Sequence, residues 1–216
     1  MNTKRNIVII IFIIAALATG WLLFNNPKAV ISPNTTATTT LTFNGTGLNF
    51  TYSKELTLSE EADTVVLHHQ IPYKNTGGCD MMGKEKTYDM LTDFHVTLRI
   101  ASTSLVQTVR QMSSYIPEEN FDGDVLKVNP GFIDSFEAGV LKGFAIYEGA
   151  EGCGFTTYYF PISGNRTLII QKESIQALSG VRGEAEIQKI LAVPESISKE
   201  ESAMIFIDIL NSLTIK

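Results

Sequence analysis

The residues best suited to chemistry are few. Histidine occurs three times, as the adjacent pair His68 and His69 and as His95. Imidazole is the side chain that titrates near neutral pH and the commonest metal ligand. The pair sits in an apolar stretch, Thr64–Ile71, that reads as a strand. Successive side chains on a strand point to opposite faces, so both histidines cannot turn to one metal. One of them can join His95 if segments 64–71 and 94–101 pair, with Asp93 as a nearby carboxylate. His68, His69, His95 and Asp93 are therefore the candidate metal ligands. The competing reading is one half-buried histidine and one solvated one, because no third ligand stands at a defined spacing.

Other signatures are weaker. Asp122-Gly123-Asp124 looks like a fragment of a cation loop but lacks the later ligands of a calcium site, and reads as a tight turn. No G-x-S-x-G, H-E-x-x-H or phosphate-binding glycine loop occurs. No catalytic residue and no cofactor is assigned. Four N-x-[ST] sequons, at Asn34, Asn44, Asn49 and Asn165, carry little weight in a Thr-rich chain whose short leading segment looks bacterial.

Cys79 and Cys153 are the only cysteines. Each lies beside glycines, in Gly77-Gly78-Cys79 and Gly152-Cys153-Gly154, which can adjust to disulfide geometry. In an exported protein such a pair is expected to bridge. Closing a loop of roughly 75 residues adds about 4.5 kcal/mol on the chain-entropy model. Two free thiols or a shared metal are the alternatives. Tyr147, Tyr158 and Tyr159 form a candidate contact surface, since exposed tyrosines suit interfaces; the alternative places them in the core.

These residues need a scaffold to position them. Leu41 and Phe43, then Leu48, Phe50 and Tyr52, alternate with polar residues across Gly45-Thr46-Gly47, a hairpin pattern. Further strands are expected at 64–71, 94–101, 140–147, 155–162 and 167–172. The glycine-rich EGAEGCG joins 140–147 to 155–162 as an antiparallel hairpin. Pro161 has no N–H for a ladder, so that strand ends or meets an edge there. Helical spacing of Leu105, Val109 and Met112 predicts a helix over 104–113. A shorter helix is expected over 184–191, stopping before Pro194. After Ser198-Lys199-Glu200-Glu201, a capping-box pattern, Phe206, Ile209, Leu210 and Leu213 share one face, widened by Met204 and Ile205. That helix should end near Ser212 and lead into a short strand at Thr214–Ile215. Strands and helices do not alternate regularly and no repeat is visible. The expected class is α+β, an antiparallel sheet with packed helices, preceded by one transmembrane helix.

The leading segment sets the location. Residues 1–6 contain Lys4 and Arg5; residues 7–24, IVIIIFIIAALATGWLLF, carry no charge. As a helix they span roughly 27 Å, close to a bilayer's hydrocarbon thickness. The positive flank puts the N-terminus in the cytoplasm and the body outside, at the cell surface or in a periplasm. Cleavage after Ala16-Leu17-Ala18 is the rival reading, but it leaves an apolar stub of six residues in water. Residues 25–40 are rich in Pro, Asn and Thr and read as a spacer. The domain proper is 41–216. It holds 14 basic and 23 acidic residues, a net charge of −9. That balance excludes nucleic acid and flat docking on anionic lipid.

The opening strand Leu48-Asn49-Phe50-Thr51-Tyr52 and the closing stretch from Phe206 to Ile215 resemble the PsbP/Mog1-like group of small α+β domains. Where that group often has a proline after the opening aromatic, this chain has Ser53. The resemblance touches the two ends of the domain and transfers no functional residue. It implies a central antiparallel sheet and an accessory or binding role. The expected function is a membrane-tethered, non-catalytic domain that binds a protein or a small ligand. The alternatives are a histidine-centred metal protein or hydrolase, and a purely structural envelope protein.

Overall fold

The computed structural model describes residues 39–76 and 86–216. The segment 7–24, most of the spacer and Cys79 lie outside the described residues. Among those described, no helix is long and apolar enough to cross a membrane.

The domain is built mainly from antiparallel strands. β1 (Thr40–Gly45) and β2 (Leu48–Ser53) form the opening hairpin. Its two-residue turn holds Thr46 and Gly47 at φ 47° and 79°. Two consecutive positive φ values give the turn whose twist matches paired strands, which explains a glycine at the second position. β3 (Thr57–Glu61), β4 (Thr64–Ile71) and β5 (Leu91–Ala101) make one meander. β8 (Ile133–Ala138), β9 (Leu141–Glu148), β10 (Phe155–Ile162) and β11 (Arg166–Glu173) make a second. The two join along β5 and β11, giving a seven-stranded sheet in the order β3-β4-β5-β11-β10-β9-β8. Between the meanders lie helix α1 (Leu105–Met112) and the small hairpin of β6 (Phe121–Asp122) and β7 (Val125–Leu126).

Pro161 sits where its missing N–H costs no bond. It pairs with Thr167 of β11, while the ladder to β9 stops at Tyr159–Phe144. One side of β10 is therefore a local edge at the proline, as its chemistry requires.

Each face of the sheet is covered differently. Leu67, Phe94, Val96, Leu98, Phe160, Leu168 and Ile170 point to one face, against β2 and helix α3 (Lys199–Ser212). Phe206, Ile209, Leu210 and Leu213 are all buried there, whereas Met204 is 62% exposed and widens nothing. From α3 the chain enters β12 (Thr214–Ile215), which pairs with β2 and ties the two ends of the domain together. On the other face Val106 and Val109 of α1 cover Ile133, Ile146, Tyr159 and Ile169. Helix α2 (Glu184–Leu191) closes the end of β4 and β5 through Ile190, beside Ile71 and Leu91.

Helix starts follow local chemistry. Ser198 Oγ accepts from Glu201 N at 3.1 Å, satisfying one of the free N–H groups of α3. The full reciprocal box forms on α1, between Ser104 and Gln107.

Candidate functional site

Alternation separates the histidines. Antiparallel pairing of β4 with β5 sets His68 opposite His95 and His69 opposite Phe94. His69 thus faces the apolar core under α3, and His68 and His95 face the other way. His95 Nδ1 lies 3.0 Å from Glu173 Oε2, a half-buried contact between two inner strands of the sheet.

Asp93 departs from simple alternation. The register shifts after His69, so that Gln70 pairs with Thr92 and Asp93 is left over as the extra residue of a bulge. A bulge re-aims its side chain. Asp93 therefore joins His69 and not His95. It is 1% exposed; its Oδ1 lies 2.7 Å from His69 Nδ1 and its Oδ2 accepts from Ile197 N at 2.8 Å. The hydrogen bond to Asp93 raises the His69 pKa above its ordinary 6.5, against the opposing effect of burial. This constellation fastens the stretch before α3 onto the sheet. Among the described residues, no group of three or more His, Cys, Asp or Glu side chains is arranged to hold a metal.

The three tyrosines divide as well. Tyr159 is fully buried, and its hydroxyl lies 3.0 Å from Ser113 Oγ at the end of α1. Tyr147 is 42% exposed and donates to the Cys153 carbonyl at 2.9 Å. Tyr158 is half-buried, with its ring 4.6 Å from Phe136 and 4.9 Å from Phe206. Burial pushes its phenol above the usual value.

Tyr147 and Tyr158 line a groove of about 460 Å³ between the ends of β10 and β11, the first turns of α3 and the segment after β11. Its apolar wall includes Phe136, Ile175, Leu178 and Phe206. Gly152, at φ 77°, forms one end: a Cβ there would stand 2.0 Å from Ser179 Oγ, so this close approach of two loops requires glycine.

Lys172 enters the same groove. It follows Leu168 and Ile170 on the inward face of β11, the position where the apolar series gives way to a cation. Its Nζ lies 6.0 Å from the centre of the Phe94 ring. Burial lowers its pKa, and the nearby charge of Lys199 lowers it further. Neither lysine takes part in any ion pair among the described residues. The two carboxylates on the groove wall are committed elsewhere, Asp93 to His69 and Ile197, Glu173 to His95. No sequence motif points to Lys172 or Lys199. The one available signal is a lysine at an inward strand position, in register with two buried residues.

Known proteins add little to this geometry. No family model and no curated protein matches the chain. A crystal structure from Bacteroides thetaiotaomicron VPI-5482 aligns with 82% of this chain and 48% of its own, at 10% identity and a TM-score of 0.40. The chain spans about half the length of that protein.

Proposed function

We propose that the chain is a membrane-tethered, extracytoplasmic, non-catalytic binding domain whose ligand occupies the groove beside α3. The observation that carries the reading is the groove itself. A concavity of about 460 Å³ with an aromatic wall and two lysines that form no ion pair among the described residues has the size and make-up of a small-molecule site. The non-catalytic part of the reading rests on the sequence, in which no catalytic motif is recognised. Tethering rests on the uncharged segment 7–24, with the N-terminus cytoplasmic and the body outside. A PsbP/Mog1-like relationship belongs to the same proposal; the pairing of β2 with β12, which unites the two matching ends, supports it.

A Cys79–Cys153 disulfide is part of this reading. Cys153 is 2% exposed in the loop that ends the groove, and no cysteine is free among the described residues, which supports the bridge. Denaturing mass spectrometry of the unreduced full chain should give a mass short by two hydrogens. A full dithiol mass would contradict the bridge and weaken the case for export.

The groove is tested with a panel of small acids, alcohols and amines, added to the full chain in lipid nanodiscs and followed by hydrogen exchange. At least one compound should protect segments 155–158, 172–179 and 199–207. Ala203→Trp, which fills the groove from an exposed position on α3, should abolish that protection. Protection that survives Ala203→Trp places the ligand elsewhere. A domain that responds to nothing in the panel fits the structural alternative.

A further inference from the structure

We infer that the groove takes a small carboxylic acid, its carboxylate held between Lys172 and Lys199 and its apolar body against Phe136, Tyr158 and Phe206. This rests on the groove being the ligand site and goes on to name the ligand's chemistry.

Charge is the first argument. The domain carries a net charge of −9, so two neighbouring lysines without carboxylate partners among the described residues run against its general balance. They repel one another, and Lys172 is also half-buried beside the Phe94 ring. A buried charge with no counter-ion is costly, and a ligand anion is the natural means of relieving it. Asp93 and Glu173 also border the groove, but their contacts go to His69, Ile197 and His95 and not to either lysine.

Shape and donor type narrow the class. Aromatic rings flank the lysines, so the ligand has an apolar portion as well as a negative end. Among the described residues, no arginine lines the groove, and no run of glycine N–H groups faces it. Multiply charged phosphates are most often met by such forks and nests. Two ammonium groups suit a single carboxylate. The side chain of Ser202, one turn into α3, borders the same space and supplies a further polar contact.

The test uses three probes of one shape: 3-phenylpropanoate, 3-phenylpropan-1-ol and 3-phenylpropylamine. Each is titrated calorimetrically into the full chain in zwitterionic nanodiscs, with empty nanodiscs as blank. The acid should bind at least tenfold more tightly than the alcohol or the amine. Lys172→Met should weaken the acid about tenfold and leave the alcohol unchanged. Lys172→Arg should keep the acid bound and remove the fall in affinity that the wild type shows as pH rises through the lowered Lys172 pKa. Equal binding of the acid and the alcohol, lost in Ala203→Trp, would overturn the carboxylate assignment and leave the groove as the site. Acid binding unaffected by Ala203→Trp would overturn both. Failure of all three probes to bind would overturn the assignment, and the broader panel would then judge the groove separately.

Discussion

Two charged groups lie beneath the start of α3, and they are treated in opposite ways. Asp93 is fully buried, and both its oxygens are satisfied, by His69 and by the Ile197 amide. Lys172 is half-buried on the neighbouring inward face and has no carboxylate partner among the described residues. A fold that needed both for stability would be expected to satisfy both, because an unpaired buried charge costs free energy. The difference assigns them separate work: Asp93 holds the domain together, and Lys172 waits for a ligand.

The largest effect expected is on the Asp93 side. Asp93→Ala leaves His69 and the Ile197 N–H without their acceptor, and should cost about 3 kcal/mol. Denaturant titration measures this directly. A loss below about 1 kcal/mol would remove the contrast with Lys172.

His69→Gln probes the same junction by pH. A histidine with a raised folded-state pKa stabilises the fold fully below the unfolded value, about 6.5, and loses that contribution as pH rises through the folded value. The stability gap between wild type and His69→Gln should therefore be widest below about pH 6.5 and shrink above it. A gap that is constant from acid to alkaline pH would show that the pair is not ionised in this way.

Ser198→Ala removes the cap that starts α3 and should cost about 1 kcal/mol. Because α3 also forms one wall of the groove, the same variant should increase hydrogen exchange over 199–203. The smallest effect is expected on the far face. His95→Ala breaks a partly solvated contact with Glu173 and should change stability by less than about 1 kcal/mol. Loss of a bound metal on that substitution would instead favour the histidine-centred alternative.

Periodicity makes most of the scaffold legible in the sequence. Thr64–Ile71 and Phe155–Ile162 show apolar residues at strand spacing, and they form strands with those limits. Ser198 and the stripe from Phe206 to Leu213 locate α3 because a cap and a helical face coincide there. Strands β3 and β8 carry no such mark: TLSEE and IDSFEA are too polar to announce themselves and take their place by pairing with a stronger neighbour. The site is less legible for two physical reasons. A bulge is a tertiary choice, so alternation alone groups Asp93 with His95 when the fold gives it to His69. A groove is a space between elements distant in sequence, and no local pattern marks Lys172 and Lys199 as its shared lining.

The most direct test of the central claim is Lys172→Met, measured for stability and for binding of 3-phenylpropanoate in the same preparation. If Lys172 is kept for a ligand, the variant should be as stable as wild type to within about 1 kcal/mol, or more stable, and should bind the acid about tenfold less tightly. A variant that loses about 2 kcal/mol or more while binding the acid as before would make Lys172 a structural residue and contradict the claim.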